Sequence, residues 1–147
     1  MLNYTRMKIR FSLCLMAFGI TTQLVGQNNL EGIYSTPKET IPVFEQCEHI
    51  EKDANAQQTC FNRFIMGHIM SELHWPKGLE ENGHVFVEVL FDATGKITQV
   101  ESVRSYDDRA ADEAVRAIKS LPDPVEPAKQ QGVNSNYSCI IPVLFER

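Results

Sequence analysis

No stretch of this chain is apolar for the roughly twenty residues that a bilayer-spanning helix needs. The nearest approach is Phe11 to Gly26, preceded by Arg6, Lys8 and Arg10 and followed by no acidic residue before Glu31. A basic start and a short apolar run are the make-up of an export signal. Residues 1–26 are therefore expected to be a signal peptide cut near Val25-Gly26-Gln27, with an uncleaved N-terminal anchor as the alternative. A lipoprotein reading through Cys14 is weaker, because Leu13 stands where a small residue is wanted. Either route puts the rest of the chain in the periplasm or cell envelope. Basic clusters are also missing. Beyond residue 26, eleven Lys and Arg face nineteen Asp and Glu, a formal charge of −8 with no basic stripe. That balance excludes nucleic acid and anionic lipid as natural partners.

Repeats and low-complexity segments are absent, and 147 residues leave material for one small domain. We place it at residues 41–147, after a polar connector at 27–40 that contains Gly32 and Pro37. Catalytic spacings are lacking as well: there is no Ser/His/Asp, Cys/His or phosphate-cradling constellation. His68 falls on the apolar stripe of a helix and reads as core. Asp107-Asp108 reads as a helix start, and His49 between Glu48 and Glu51 as surface. The expectation is a non-enzyme with no catalytic residue and no cofactor.

Cysteine is scarce. Cys47, Cys60 and Cys139 follow the leader, and an odd number in an oxidising compartment implies one pair and one leftover. Cys47 and Cys60 flank a polar segment, Glu48 to Thr59, and are the favoured pair; closing such a loop stabilises by roughly 3 kcal/mol. Cys139 sits on an alternating apolar face and suits a buried free thiol. Metal ligation, with His49, His68, His74 and His84 as added ligands, is the rival. No C-x2-C or H-x3-H spacing supports it, so no metal site is expected.

What the chain does have is periodicity. Val85, Val87, Val89 and Phe91 alternate from Gly83 onward, the period of a half-buried strand. Ala93-Thr94-Gly95-Lys96 supplies a turn and Ile97 to Arg104 a return strand. Asn136 to Phe145 reads as a last strand. Between them Asp107 or Ser105 starts a helix that buries Ala111, Ala114, Val115, Ile118 and Leu121 and stops at Pro122. Upstream, Ile41 to Cys47 is expected to be extended. Thr59 is expected to cap a helix with Phe61, Phe64, Ile65, His68, Ile69 and Leu73 on one stripe, ended by Trp75-Pro76. The sum is an α+β fold: an α-β-β-α-β two-layer sandwich, a three-stranded antiparallel sheet in order 2-1-3 with two helices on one face.

That order leaves the last strand at an edge, with unpaired backbone groups open to an extended peptide. Pro142 agrees, since its missing N–H is tolerated where no neighbour needs it. Outward backbone groups are then expected at Ile140, Pro142 and Leu144. The bland reading is that Pro142 blunts the edge against aggregation. Two exposed edges also allow a homodimer.

The ordered set Trp75-Pro76, Gly83-x-Val85-x-Val87-x-x-x-Phe91-Asp92, Gly95-x-Ile97, Val100 and Val103-x-Ser105 resembles the C-terminal domain of TonB. Asp112-x-Ala114-x-x-Ala117-Ile118-x-x-Leu121-Pro122, Gly132 and Ile141-Pro142-Val143-x-Phe145 continue it. Pro42 to Glu48 with Cys60-Phe61 is similar to an extension found on Bacteroidetes members. The resemblance implies a cell-envelope module that binds the TonB box of outer-membrane transporters by strand addition, in TonB-dependent transmembrane transport. It further implies force from an ExbB/ExbD-type complex if the leader is an anchor. The accepting strand would be Tyr137, Ser138, Cys139, Ile140, Ile141, Pro142, Val143, Leu144 and Phe145. The family's long proline-rich spacer has no counterpart between Val25 and Ile41, whose extended reach is about 55 Å. That difference motivates an alternative: a soluble periplasmic scaffold or accessory protein holding a non-transporter partner on the same strand.

Overall fold

The computed structural model describes residues 33–35, 38, 40–50 and 53–147, so the expected signal segment lies outside the described residues. The elements run β1 (Tyr34–Ser35), α1 (Ala54–Glu72), β2 (Gly83–Phe91), β3 (Ile97–Arg104), α2 (Asp108–Lys119), β4 (Lys129–Gln130), β5 (Val133–Asn134) and β6 (Tyr137–Phe145). The main sheet is antiparallel, in the order β1-β6-β2-β3, and β4-β5 form a separate hairpin.

The β2–β3 hairpin follows from its alternation and its turn. Val85, Val87, Val89 and Phe91 are buried. The Asp92 carboxylate accepts from the Thr94 N–H at 2.8 Å, the Thr94 hydroxyl at 2.6 Å and the Lys96 N–H at 3.0 Å. These bonds, the Thr94 hydroxyl first, lower the Asp92 pKa. Gly95 turns the chain at φ 91°, where a side chain would be strained.

Both helices pack on the face that carries those valines. Phe61, Ile65 and Ile69 of α1 join Ala110, Ala114 and Ile118 of α2 in one core with β2 and β6. The alanines let α2 lie close to the sheet. Asp107 caps α2, accepting from the Arg109 N–H at 2.8 Å, while Ser105 braces it by donating to the Asp107 carbonyl. Burying a face of this size stabilises a domain by roughly 25 cal/mol per Å² of apolar area.

Several expectations need correction. The sheet has four strands rather than three: the three long strands keep the order β3-β2-β6, and β1, from the stretch read as connector, is added beyond β6. Two residues are too few to display alternation. Helix α1 starts at Ala54, capped by Asp53, whose carboxylate accepts from the Ala56 N–H at 2.9 Å. Thr59 is inside the helix and donates to the Asn55 carbonyl. Its first turns are polar and carry no stripe, yet Ala and Gln are good helix formers. The buried face of α2 is Ala110, Ala114, Ala117 and Ile118, with Ala111 and Val115 only half-buried. A short 3-10 turn at Glu45–Cys47 ends the extended segment at Phe44. The loop before β6 contains the β4–β5 hairpin, whose two turn residues, Gln131 and Gly132, have φ 53° and 72°. Positive φ at both turn residues is the geometry that matches strand twist in a two-residue hairpin.

Cys47 and Cys60 are joined, with Cα atoms 5.9 Å apart, and the bond ties the 3-10 turn to α1. Cys139 is free and buried.

Candidate functional site

The strand expected to carry function is β6. Tyr137, Cys139, Ile141, Val143 and Phe145 are buried on its helix-facing side, which gives the strand its hold on the core. Tyr137 packs edge-on against Phe61 at 5.9 Å and stands 5.9 Å from Phe91. On the opposite face Ser138 and Ile140 are half-buried, Leu144 is 43% exposed, and Pro142 is buried opposite Phe86. The Ser138 hydroxyl donates across to Glu88 at 3.2 Å. The end of the strand is pinned: Phe145 meets Trp75 edge-on, and the Arg147 guanidinium lies 4.3 Å from the Trp75 ring centroid. The Trp75 indole N–H donates to the Leu79 carbonyl at 2.8 Å.

One side of β6 is fully paired with β2, from Gly83 opposite Phe145 to Phe91 opposite Tyr137. The other side meets β1 at two positions, Tyr34 opposite Ile140 and Ser35 opposite Cys139. Among the described residues, nothing pairs with Ile141 to Phe145 on that side. Among the described residues the expected edge is therefore covered at its first half and unpaired at its second. Sequence reasoning missed Tyr34 and Ser35. Ile33-Tyr34, an adjacent apolar pair in a polar connector, was the available signal, and Ile33 packs against the core.

The edge is built to be chemically quiet. Burial pushes the Cys139 thiol up to about 12, so it stays protonated at neutral pH and reacts slowly. Burial also pushes the Tyr137 phenol up to about 12; the Ser35 side chain beside it pulls against that rise, although among the described residues no group meets its hydroxyl at hydrogen-bonding geometry.

Elsewhere the candidate chemistry resolves into structure. His68 Nε2 is 2.9 Å from the Ser120 hydroxyl, but that hydroxyl gives its proton to the Ala117 carbonyl at 2.7 Å. His68 is thus the donor, and the serine is not an activated nucleophile. Asp107 is a helix cap held well below the usual carboxylate range, at about 2, first by its hydrogen bond to Arg109. His49 is exposed. His74 and Arg116 converge on Glu113, an arrangement that joins the end of α1 to α2. A groove of about 260 Å³, between Thr40–Val43 and the start of α1, is lined by no His, Cys or Ser. Among the described residues no three His, Cys, Asp or Glu side chains cluster as a metal site.

Residues 77–146 match the family model for the Gram-negative bacterial TonB protein C-terminal. That segment belongs to the TonB C-terminal family. The match takes in everything from Lys77 to Glu146, including β2, β3, α2 and β6; α1, the disulfide and β1 lie ahead of it. No curated protein and no solved structure matches the chain. The family's domain is non-enzymatic and transduces energy for transport; it implies TonB-like coupling to outer-membrane transporters and a cell-envelope location. Among the described residues no helix is long and apolar enough to cross a membrane.

Proposed function

We propose that this protein is an exported peptide-binding module that receives an extended segment of an outer-membrane transporter as an added strand on β6. The carrying observation is that, among the described residues, none pairs with Ile141 to Phe145 on the side away from β2. Strand addition draws affinity from main-chain hydrogen bonds and specificity from alternate side chains. The open run offers both. Among the described residues no partner meets the run on its outer side, where Pro142 lacks a donor, and Leu144 is 43% exposed. The quiet chemistry of the site fits binding rather than turnover. Export through residues 1–26 would deliver the domain to the compartment where such transporters present their periplasmic ends.

A photo-reactive benzoylphenylalanine at Leu144 tests this in cells. The expected product is a covalent adduct whose mass-spectrometric fragments come from the periplasmic end of an outer-membrane transporter. A folded, exported variant that yields no such adduct would sink the reading.

A further inference from the structure

The strand proposed to accept a partner already carries one. Resting on the reading above, we propose that Tyr34–Ser35 is a displaceable self-strand that covers the first half of the acceptor edge and that an incoming segment must evict. The register is the first reason. Tyr34 and Ser35 sit opposite Ile140 and Cys139, on the side of β6 that a foreign strand would use. The second is room. Of Ile141 to Phe145 only Pro142 and Leu144 are expected to turn their backbone groups outward, and Pro142 has no donor, whereas strands typically run about five or six residues. A segment long enough to hold firmly runs into Ile140 and Cys139. The third is how lightly the cover is held. It spans two residues, Tyr34 is 41% exposed and Ser35 is exposed. Burial contributes little there beyond Ile33, so the two strands are joined mainly by backbone bonds, each weak in net terms.

The tether gives the cover its persistence. The next fixed point is Thr40, which exchanges backbone bonds with Lys129 at 3.2 Å in each direction. Only the residues between Ser35 and Thr40 separate cover from anchor, so the released segment stays at high local concentration near the edge. A partner's apparent affinity is then reduced by the fraction of molecules in which the edge is clear. Removing the cover strengthens binding by about tenfold, the factor expected from a pair or so of net-weak backbone bonds.

Two variants of the full chain fix the two states. The double variant Tyr34→Pro, Ser35→Pro removes both donors of the self-strand and opens the edge. Ser35→Cys places a thiol opposite Cys139; directly opposed residues in an antiparallel pair lie within disulfide reach, so prolonged oxidation, carried until a thiol assay finds neither cysteine free, closes the edge. Cys47 and Cys60 are already joined and do not compete. With the photo-reactive group at Leu144, transporter capture is expected to rise up to about tenfold in the opened form and to fall below that of the unmodified chain in the oxidised form. Equal capture in all forms would overturn the self-cover while leaving the proposed function intact. A second arm needs no transporter. A synthetic peptide of residues 31–38 is titrated into the opened and oxidised forms, with the amide resonances of Cys139 and Ile140 as readout. Binding to the opened form alone supports the self-cover, even if no transporter is captured and the proposed function fails. Binding to both forms, or to neither, overturns it.

Discussion

On one side β6 pairs with β2 over its whole length, from Tyr137 to Phe145; on the other, among the described residues, it meets β1 at Cys139 and Ile140. The first contact lies above a layer of buried valines, aromatics and alanines. The second leaves the β1 residues, Tyr34 and Ser35, exposed. A single strand thus carries a permanent interface and an exchangeable one. What separates them is the apolar area beneath rather than hydrogen-bond type, because backbone bonds are weak in net terms on both sides.

The contrast breaks most readily within β6 itself. Ile141 is fully buried, and Ile141→Ala is expected to cost about 2–5 kcal/mol from lost burial and the cavity left behind. Leu144, three residues on and 43% exposed, should tolerate the same change within about 0.5 kcal/mol. Urea unfolding followed by circular dichroism measures both. Equal costs would mean that the two faces of β6 are not energetically distinct.

Gly83 sharpens the point at the start of β2. A Cβ there would stand 2.6 Å from the Tyr106 ring, which is itself held by its hydroxyl donating to the Glu81 carbonyl at 3.2 Å. Gly83→Ala should cost about 1–3 kcal/mol through overpacking. A double-mutant cycle with Tyr106→Ala should recover part of it, since the ring is the obstacle. Additive costs would show that the ring is not what forbids a side chain.

These elements differ in how visible they are in the sequence, for the same reason that they differ in strength. β2 and β6 bury one face of a long element, so their alternation can be read directly, as from Val85 to Phe91; in α2 the helical period was legible but its buried face was read through Ala111 and Val115 instead of Ala110 and Ala117. The Cys47–Cys60 bond was legible from spacing and compartment. The start of α1 was not, because Ala54 to Gln58 bury nothing in a pattern and only the Asp53 cap marks them. The β4–β5 hairpin turns at Gln131, a residue type that does not advertise positive φ. β1 was hidden most completely: its partner is distant in sequence, it is two residues long, and both are exposed. Half of the candidate edge was therefore legible, and the half that covers it was not.

Acid separates the helix layer from the cover. Glu113 accepts from Arg116 at 2.7 Å and from the His74 N–H at 2.7 Å, while Arg116 also donates to the Glu72 carbonyl. The hydrogen bond to Arg116 is the main cause that lowers its pKa from 4.5 to about 2. A carboxylate whose folded pKa is depressed stabilises the fold above its unfolded pKa and loses that contribution as protons bind. The contribution of Glu113 is thus present above 4.5 and disappears toward about 2. The melting temperature should fall across that window, and Glu113→Gln should flatten that part of the decline. An unchanged profile in the variant would assign the acid sensitivity elsewhere, with Asp107 as the next group to replace.

The smallest expected effect lies where the two sides of β6 meet. Among the described residues nothing pairs with the buried Tyr137 hydroxyl at hydrogen-bonding geometry, and the Ser35 side chain is its polar neighbour from β1. A buried polar group left without a partner is destabilising, so Tyr137→Phe should raise stability by up to about 1 kcal/mol. Should Ser35 instead hold that hydroxyl in solution, the same change would lower stability, and Ser35→Ala would lower it by a like amount without adding to it. The sign of one conservative substitution therefore reports whether β1 is tied to the core through its side chain or rests on backbone bonds alone. Only the second case leaves it light enough to be evicted.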